Sequence, residues 1–412
     1  MLTGALGVYL CLFLALYFEV FLLISFLEKK PALKTTLKPR RLPTVSIIVP
    51  SFNEERTIVQ TLTSLLGLEY PKDKLEILVV DDGSQDGTRD IVAEYTKNHP
   101  QIKYFYKENG GKYTALNFGI TYSTNELVGC LDADSFVSPD ALTEVVKKFE
   151  EDASVYAIMP AMKVSRPRSM LEHMQAVEYT FGVFYKKMFD NIGALNVLPG
   201  PFSIYRREVF DKIGLFHHAH NTEDMEIAFR MHHNGLKIVN AHNATVYTTV
   251  PRTLRALLKQ RARWSQGFLE NSRDYSYMYL NPKYGNFGML VLPFGLSAFF
   301  LGLYITTYLI FTVLQTALTR ALNMWATGVP VTFHFQVPHF DWFFLNTSMM
   351  TFAIIAVMGL TITAILLGNK IVQGKLTFFS YFSYFTLFGF IAPMWLARAL
   401  WGAARSRPAP WR

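Results

Sequence analysis

Residues 126–140 read ELVGCLDADSFVSPD, an apolar run that stops on two carboxylates, Asp132 and Asp134, with Pro139 placed to open a helix. The run predicts a buried strand, and two acids one residue apart at its end have no packing role. Successive side chains of a strand point to opposite faces, but where the ladder ends the backbone loosens and both acids can converge on one cation. In an open α/β sheet that edge is where ligands sit. The stretch therefore reads as a metal site for a nucleotide diphosphate. A solvated Asp-Ala-Asp turn is the alternative, and the surrounding chain has to decide between them.

Upstream, from Val45, strands and helices alternate. VSIIVPSF predicts a buried strand, EERTIVQTLTSLLG a helix closed by Gly67, and LEILVVDD a second buried strand. A helix from about Asp86, the strand IKYFYK and the helix KYTALNFGITYS follow, and then the strand that ends at Asp132. Continuous apolar strands separated by helices predict an α/β fold with a mostly parallel sheet covered on both faces. Polar residues gather at the strand ends: Ser51, Asn53 and Glu54 after the first, Asp81, Asp82 and Gly83 after the second. Asp82 can accept hydrogen bonds from the NH groups of a base, and Gly83 lets backbone approach a ligand closely. Asp86 as the N-cap of the next helix is the structural alternative for this turn. GGK at 110–112 sets Lys112 at a helix start, where the cation and the helix terminus both favour an anion.

Downstream, VYAIMPAMKV predicts a strand, followed by a helix from about Met170 to Met188. Met170, Met174, Val177, Phe181, Phe184 and Met188 recur at helical spacing, with Lys186 and Lys187 off that stripe. Such a stripe fits either a buried core or an amphipathic helix in a membrane interface. PGPFSIYRREVF predicts a turn, a strand and a helix, and NTEDMEIAFRMHHNG a helix with Thr222 as N-cap and Glu223 and Asp224 in its first turn. Asp224 reads as a dipole-favouring acid or as a general base beside a cleft. His232, His233 and His242 read as surface or packing residues rather than ligands. Arg252 to Tyr275 forms a basic helix with Leu254, Leu257 and Leu258 on one side and Trp264 further along, as in an interfacial or a docking helix.

Half of the 412 residues are hydrophobic and 15% aromatic, and this surplus is confined to the two ends. Residues 5–27 give about 23 mostly apolar positions, enough to cross a bilayer, without the basic start and cleavage site of a signal peptide. Glu19 within that span needs a partner. Lys29, Lys30, Lys34, Lys38, Arg40 and Arg41 follow, which places the next domain on the cytoplasmic side. Three further apolar runs cover about 287–316, 343–367 and 377–401, with an aromatic external loop expected over 317–342. The span count sets the C-terminus outside, whereas Arg405, Arg407 and Arg412 set it inside. Two cysteines, Cys11 and Cys130, exclude a disulfide framework or zinc cluster. A net charge of +8, with the basic residues beside apolar spans, points to a membrane surface rather than nucleic acid.

Four motifs stand in order: VDDG at 80–83, LDADS at 131–135, TED at 222–224 and QRARW at 260–264. Together they resemble the membrane-embedded family 2 glycosyltransferases, such as cellulose, chitin, hyaluronan and poly-N-acetylglucosamine synthases. The resemblance covers about residues 44–275. It implies a GT-A-like domain over 44–250, an N-terminal transmembrane helix over 1–28, a basic linker over 29–43, an interfacial helix over 251–280, three transmembrane segments over 281–404 and a basic tail over 405–412. It further implies a multi-pass protein of the cell membrane, with its catalytic domain cytoplasmic, that moves a sugar from a UDP-sugar to a growing polysaccharide with inversion. UDP-N-acetylglucosamine and UDP-glucose are the favoured donors. Under the resemblance Asp82 reads the uracil, with Ser51, Asn53 and Glu54 in the nucleotide pocket. Asp132 and Asp134 hold Mg2+ or Mn2+ against the diphosphate, and Asp224 is the catalytic base. Gln260, Arg263 and Trp264 lie beside diphosphate and acceptor, and Lys112 and Glu223 complete the substrate-binding set. Neither a Phe-x-Val-Thr-x-Lys segment after QRARW nor a second span before the domain is present. Single transfer to a membrane lipid, and a catalytically silent scaffold, are therefore the competing readings. The partners implied are the donor, a saccharide or lipid acceptor and the bilayer, with a homo-oligomer compatible and nucleic acid excluded.

Overall fold

The computed structural model describes residues 2–28, 39–328 and 348–405. Lys29, Lys30, Lys34, Lys38, Arg407, Arg412 and residues 329–342 of the expected loop lie outside them. The chain divides into two compact units, Met1–Ile24 with Gly295–Thr363, and Ser25–Phe294 with Ala364–Arg412. The second unit carries the sheet.

Apolar residues at adjacent positions, flanked by Pro and polar turns, give β1 (Val45–Ser51), β2 (Leu75–Asp81), β3 (Ile102–Tyr106) and β4 (Leu127–Cys130). Helix α1 is Leu2–Glu28, and α2 (Ile58–Leu66), α3 (Thr88–Asn98) and α4 (Lys112–Tyr122) connect those four strands. These strands are parallel, as the alternation predicts. The pairing runs Ile48 against both Leu78 and Cys130, and Ser51 against Asp81. β1, β2 and β3 therefore finish at one level and β4 three residues short of it, with the Asp82 amide donating to Ser51 O at 2.8 Å and the Leu131 amide to Ile48 O at 2.9 Å. That alignment puts residues 51–54, 82–83 and 131–134 on a common rim. Gly119 of α4 lies over β1 where a Cβ would overlap the Ile48 side chain, so only glycine allows this helix to approach so closely.

Beyond β4 the sheet changes character. It continues through β5 (Ser135–Val137), β6 (Val155–Val164), β7 (Ile204–Arg206) and β8 (Lys237–Thr248), in the overall order β3-β2-β1-β4-β7-β6-β8-β5. β7 is antiparallel to β4 and β6, and β5 to β8, so the whole is a mixed α/β sheet of eight strands. β5 and β8 escape sequence reading because three residues show no period and KIVNAHNATVYT mixes Asn and His into its buried face. Asn240 and His242 are buried in it. Packed on the sheet are α5 (Ala141–Glu151), α6 (Met170–Asn191) and α8 (Glu223–His233), while α7 (Glu208–Ile213) follows β7 and α9 (Leu254–Asp274) packs against α8.

The Met and Phe stripe of α6 is core: Met174, Val177, Phe184 and Met188 are buried, and α6 shares an apolar cluster with Leu257 of α9 and with Tyr384, Ile391 and Trp395. Those last three belong to α12 (Phe378–Ala404), which follows α10 (Leu292–Thr327) and α11 (Met349–Ile371). α1, α10 extended back to Phe287, α11 and α12 are four helices long and apolar enough to cross a membrane, and the chain is accordingly of membrane type. Residues 317–327, expected in a loop, continue α10. ALTRALNMWAT is built of helix formers with no proline before Pro330, so nothing stops the helix there. Glu19 accepts a hydrogen bond from the Thr361 hydroxyl at 2.7 Å, the partner that its place in a span requires.

Candidate active site

The aligned strand ends face α6, α8 and α9 across a cavity of about 660 Å³. Ser51, Glu54, Asp82, Lys112, Asp132, Asp134, Glu223, Asp224, Gln260, Arg263 and Trp264 all line it. Of the donor, metal and acceptor residues that the resemblance implies, Asn53 alone stands apart from the lining. Asn53 has left-handed backbone (φ 58°), and its carboxamide oxygen accepts the Gln85 amide at 2.8 Å while its own amide donates to Ser84 Oγ at 3.0 Å. Asn53 thereby ties the first strand end to the turn after the second.

That turn is fastened by its acids. Asp81 accepts from the Ser84 amide and the Tyr104 hydroxyl, both at 2.8 Å. Asp82 accepts from the amides of Gly110 (3.1 Å) and Gly111 (2.8 Å) and pairs with Lys107 at 2.6 Å. A carboxylate has about four lone-pair sites, so Asp82 keeps capacity for one more donor. Asp86 accepts from the Thr88 amide at 3.0 Å, although Gly87 occupies the cap position of α3.

The centre of the cavity is a charge cluster. Lys112 pairs with Asp132 at 2.6 Å and reaches Glu223 at 3.5 Å. Burial opposes its charge, but Asp132, Glu223 and Asp224 outweigh burial and hold its pKa above the ordinary lysine value. Its expected freedom to meet an anion is thus already shared with three carboxylates. The Asp134 carboxyl is pushed up to about 6 by burial and then by Asp132 and Glu54. Asp224 is likewise pushed up to about 6, by burial and then by Glu223, with Lys112 and Arg263 acting against the rise. Two half-buried acids raised by desolvation and by their neighbours mark a place that gains from added positive charge. Among the described residues no three His, Cys, Asp or Glu side chains converge as a metal cage. Asp132 and Asp134 therefore fit a hard cation that takes its remaining oxygens from a ligand.

Thr222 does not cap α8 with its side chain, contrary to the sequence expectation. Its hydroxyl donates instead to Ala219 O at 3.0 Å and accepts from Asn271 Nδ2 at 2.9 Å. On α9, Arg263 donates to Asn221 O at 3.0 Å. Arg261, a motif position that sequence reading passed over, is 3% exposed. It grips Glu178 of α6 with two bonds of 2.9 and 3.0 Å, donates to Gln260 Oε1 at 2.7 Å, and lies 4.3 Å from the centre of the Trp264 ring. Gln260 and Trp264 are thus held from behind by one guanidinium. The signal was an arginine inside a motif whose neighbours face a cleft. Lys186, off the apolar stripe of α6, also lines the cavity, and burial pulls its pKa down to about 8 against the field of Asp224. His232 stacks on Phe287 at 3.9 Å, and none of His232, His233 and His242 lines the cavity.

Residues 46–214 match the family described as Glycosyl transferase family 2. The chain is 31% identical over 246 residues to a poly-beta-1,6-N-acetyl-D-glucosamine synthase of Staphylococcus epidermidis, a stretch that is 59% of either protein. A protein of the same name from Staphylococcus aureus (strain COL) is 31% identical over 242 residues, 58% of this chain and 57% of that one. The match thus spans under two thirds of the length of these curated relatives. Among solved structures, the Pyrobaculum calidifontis mannosyltransferase PcManGT, in complex with GDP-Man and Mn2+, superposes with a TM-score of 0.65 at 19% identity, over 98% of this chain and 99% of its own. That likeness is one of fold, here of the GT-A type. Residues 46–214 thus form a domain of the Glycosyl transferase family 2 type, and the chain resembles the poly-beta-1,6-N-acetyl-D-glucosamine synthases over 59% of its length.

Proposed function

We propose that this protein transfers a sugar from a UDP-sugar to a growing polysaccharide at the membrane, with inversion at the anomeric carbon and with the help of a divalent ion. The observation that carries the reading is the single cavity in which the Asp132 and Asp134 pair, the raised carboxyl of Asp224 and the QRARW side chains meet. Asp82, with Ser51 and Glu54 beside it, would receive the uracil and ribose. A Mg2+ or Mn2+ ion held by Asp132 and Asp134 would neutralise the diphosphate as it leaves. Arg263 and Gln260 would approach the same diphosphate from α9, and Trp264 would offer its face to the acceptor sugar. Asp224, ionised above about pH 6, would take the acceptor hydroxyl proton as that oxygen bonds to the anomeric carbon and UDP departs. Attack from the face opposite the leaving group turns an α-linked donor into a β-linked product.

Likeness to the poly-beta-1,6-N-acetyl-D-glucosamine synthases supports UDP-N-acetylglucosamine as the first donor to try, with UDP-glucose second. We place the catalytic domain on the cytoplasmic side of a multi-pass membrane protein. The test is product size after incubation of membranes with labelled UDP-sugars. A ladder of polymer supports the reading, a single lipid adduct would replace it with glycolipid synthesis, and no product with any donor would overturn it.

A further inference from the structure

Three consecutive residues before the acid pair of α8 take left-handed backbone angles: Ala219 at φ 40°, His220 at 55° and Asn221 at 61°. Residues with a Cβ seldom occupy this region, and a run of three persists only where its surroundings over-determine it. α9 supplies such surroundings. His220 bonds Asp274 at 2.9 Å and lies 3.4 Å from Glu270, while Arg263 donates to Asn221 O at 3.0 Å. Asn271, 1% exposed and anchored to Gly267 O at 2.9 Å, donates to the Thr222 hydroxyl at 2.9 Å. Gly267 lies so close that a Cβ there would overlap the Thr222 side chain. The Thr222 hydroxyl is thereby drawn away from the cap of α8 and onto Ala219 O, which closes the turn.

We propose that Gly267 and Asn271 are positioning residues for Asp224: they seat Thr222, hold the left-handed turn closed, and so fix where the Asp224 carboxylate stands against the acceptor. The inference rests on Asp224 being the base, as proposed above. One helix then sets both sides of the reaction, because Gln260, Arg263 and Trp264 lie on the same α9 that holds the turn. Neither Gly267 nor Asn271 lines the cavity, so both act through Thr222.

Asn271→Asp keeps the shape and removes the donor, and Gly267→Ala adds the overlapping methyl. Both are made in the full-length protein in lipid nanodiscs, together with Thr222→Val, Asp224→Asn and the Thr222→Val/Asn271→Asp double variant. The measurements are folded yield, UDP affinity, kcat, and the dependence of kcat on pH. Displacement of a reacting group by about 1 Å costs up to about 100-fold, so kcat should fall at least about tenfold while UDP affinity holds. The carboxyl of Asp224 is raised first by burial and is faced by Glu223, Lys112, Arg263, Asp132 and, from α6, Lys186. Loosening the turn admits water, so the acid limb of kcat should move to lower pH, a change that mere loss of folded protein does not produce. The double variant should lose no more than Thr222→Val alone, because that variant has already lost the Asn271 bond. Wild-type kcat with an unmoved limb in folded Asn271→Asp overturns the proposal. So does a loss of turnover matched by an equal loss of UDP affinity. Should Gly267→Ala not fold, Asn271→Asp and Thr222→Val carry the test. Full turnover in Asp224→Asn would instead remove the base assignment itself.

Discussion

Parallel strands deliver Ser51, Asp82, Asp132 and Asp134 to one rim of the cavity, whereas the other wall is assembled from α6, α8 and α9, which no strand ladder aligns with one another. On the first wall the backbone does the placing. Register sets Ser51 beside Asp81 and ends β4 two residues before Asp132, so each side chain follows from its position in or just past a strand. On the second wall side chains do the placing. Arg261 braces Gln260 and Trp264 against Glu178, and Asn271 holds Thr222. A wall made by register tolerates changes behind it, while a wall made by buried polar networks fails when one member goes. Apart from Gln260 and Arg263, which face the diphosphate, substitutions on the helices should therefore lower turnover more than donor binding.

The largest effect is expected at the rim. Chelation should abolish transfer, because Asp132, Asp134 and Glu54 are like charges that would repel a diphosphate without a cation between them. Asp134→Ala should not be rescued at ordinary Mg2+ concentrations. Transfer assays in excess chelator check this, and full activity there would break the contrast at its first wall.

Next comes Trp264, at the cavity lining and partly exposed. Trp264→Ala should lose transfer while UDP affinity and folded yield hold, and Trp264→Tyr should keep part by retaining a stacking face. Normal turnover per folded Trp264→Ala molecule would take the residue out of the site. A smaller effect is expected for Arg261→Lys, which keeps charge but loses the fork that grips Glu178 and Gln260 at once. We expect about tenfold lower kcat, equivalent to about 1.4 kcal/mol of barrier, with UDP affinity unchanged. Equal losses in both would mean that Arg261 supports the donor wall as well.

The smallest effect concerns pH. The Asp134 and Asp224 carboxyls, both at about 6, lie above the ordinary value of 3.8, so the folded state binds their protons more tightly than the unfolded chain does. Stability of the metal-free protein should rise as pH falls through about 6 toward about 4, whereas transfer should fall over the same window as Asp224 loses its charge. Thermal midpoints in chelator across that range, set beside the activity profile, should run in opposite directions. A parallel decline would contradict the burial of these acids.

The contrast between the walls also explains what the sequence makes legible. Apolar strands and punctual acids are local patterns, so β1 to β4, the helices between them and the four motifs are readable from residue order. The antiparallel β7 is recognisable as a strand, but its insertion between β4 and β6 depends on long-range pairing that no local pattern encodes. β5 is too short to show a period. Thr222 looks like a cap because it precedes Glu223 and Asp224, but Asn271, 49 positions on, takes its hydroxyl. Asn53 sits at a strand end, and its bond from the Gln85 amide, 32 positions on, is one that residue order does not show. Glu178 and Lys186 are polar interruptions in an apolar helix, and only the fold reveals that they turn to one cavity.

The most direct test of separate walls is to measure UDP affinity and sugar transfer on one preparation of Asp224→Asn. A positioned base contributes on the order of 10² to 10⁴-fold, so turnover should fall by at least about two decades while UDP binds as in the wild type. Loss of UDP affinity in proportion to turnover would make Asp224 part of the donor wall and contradict the account.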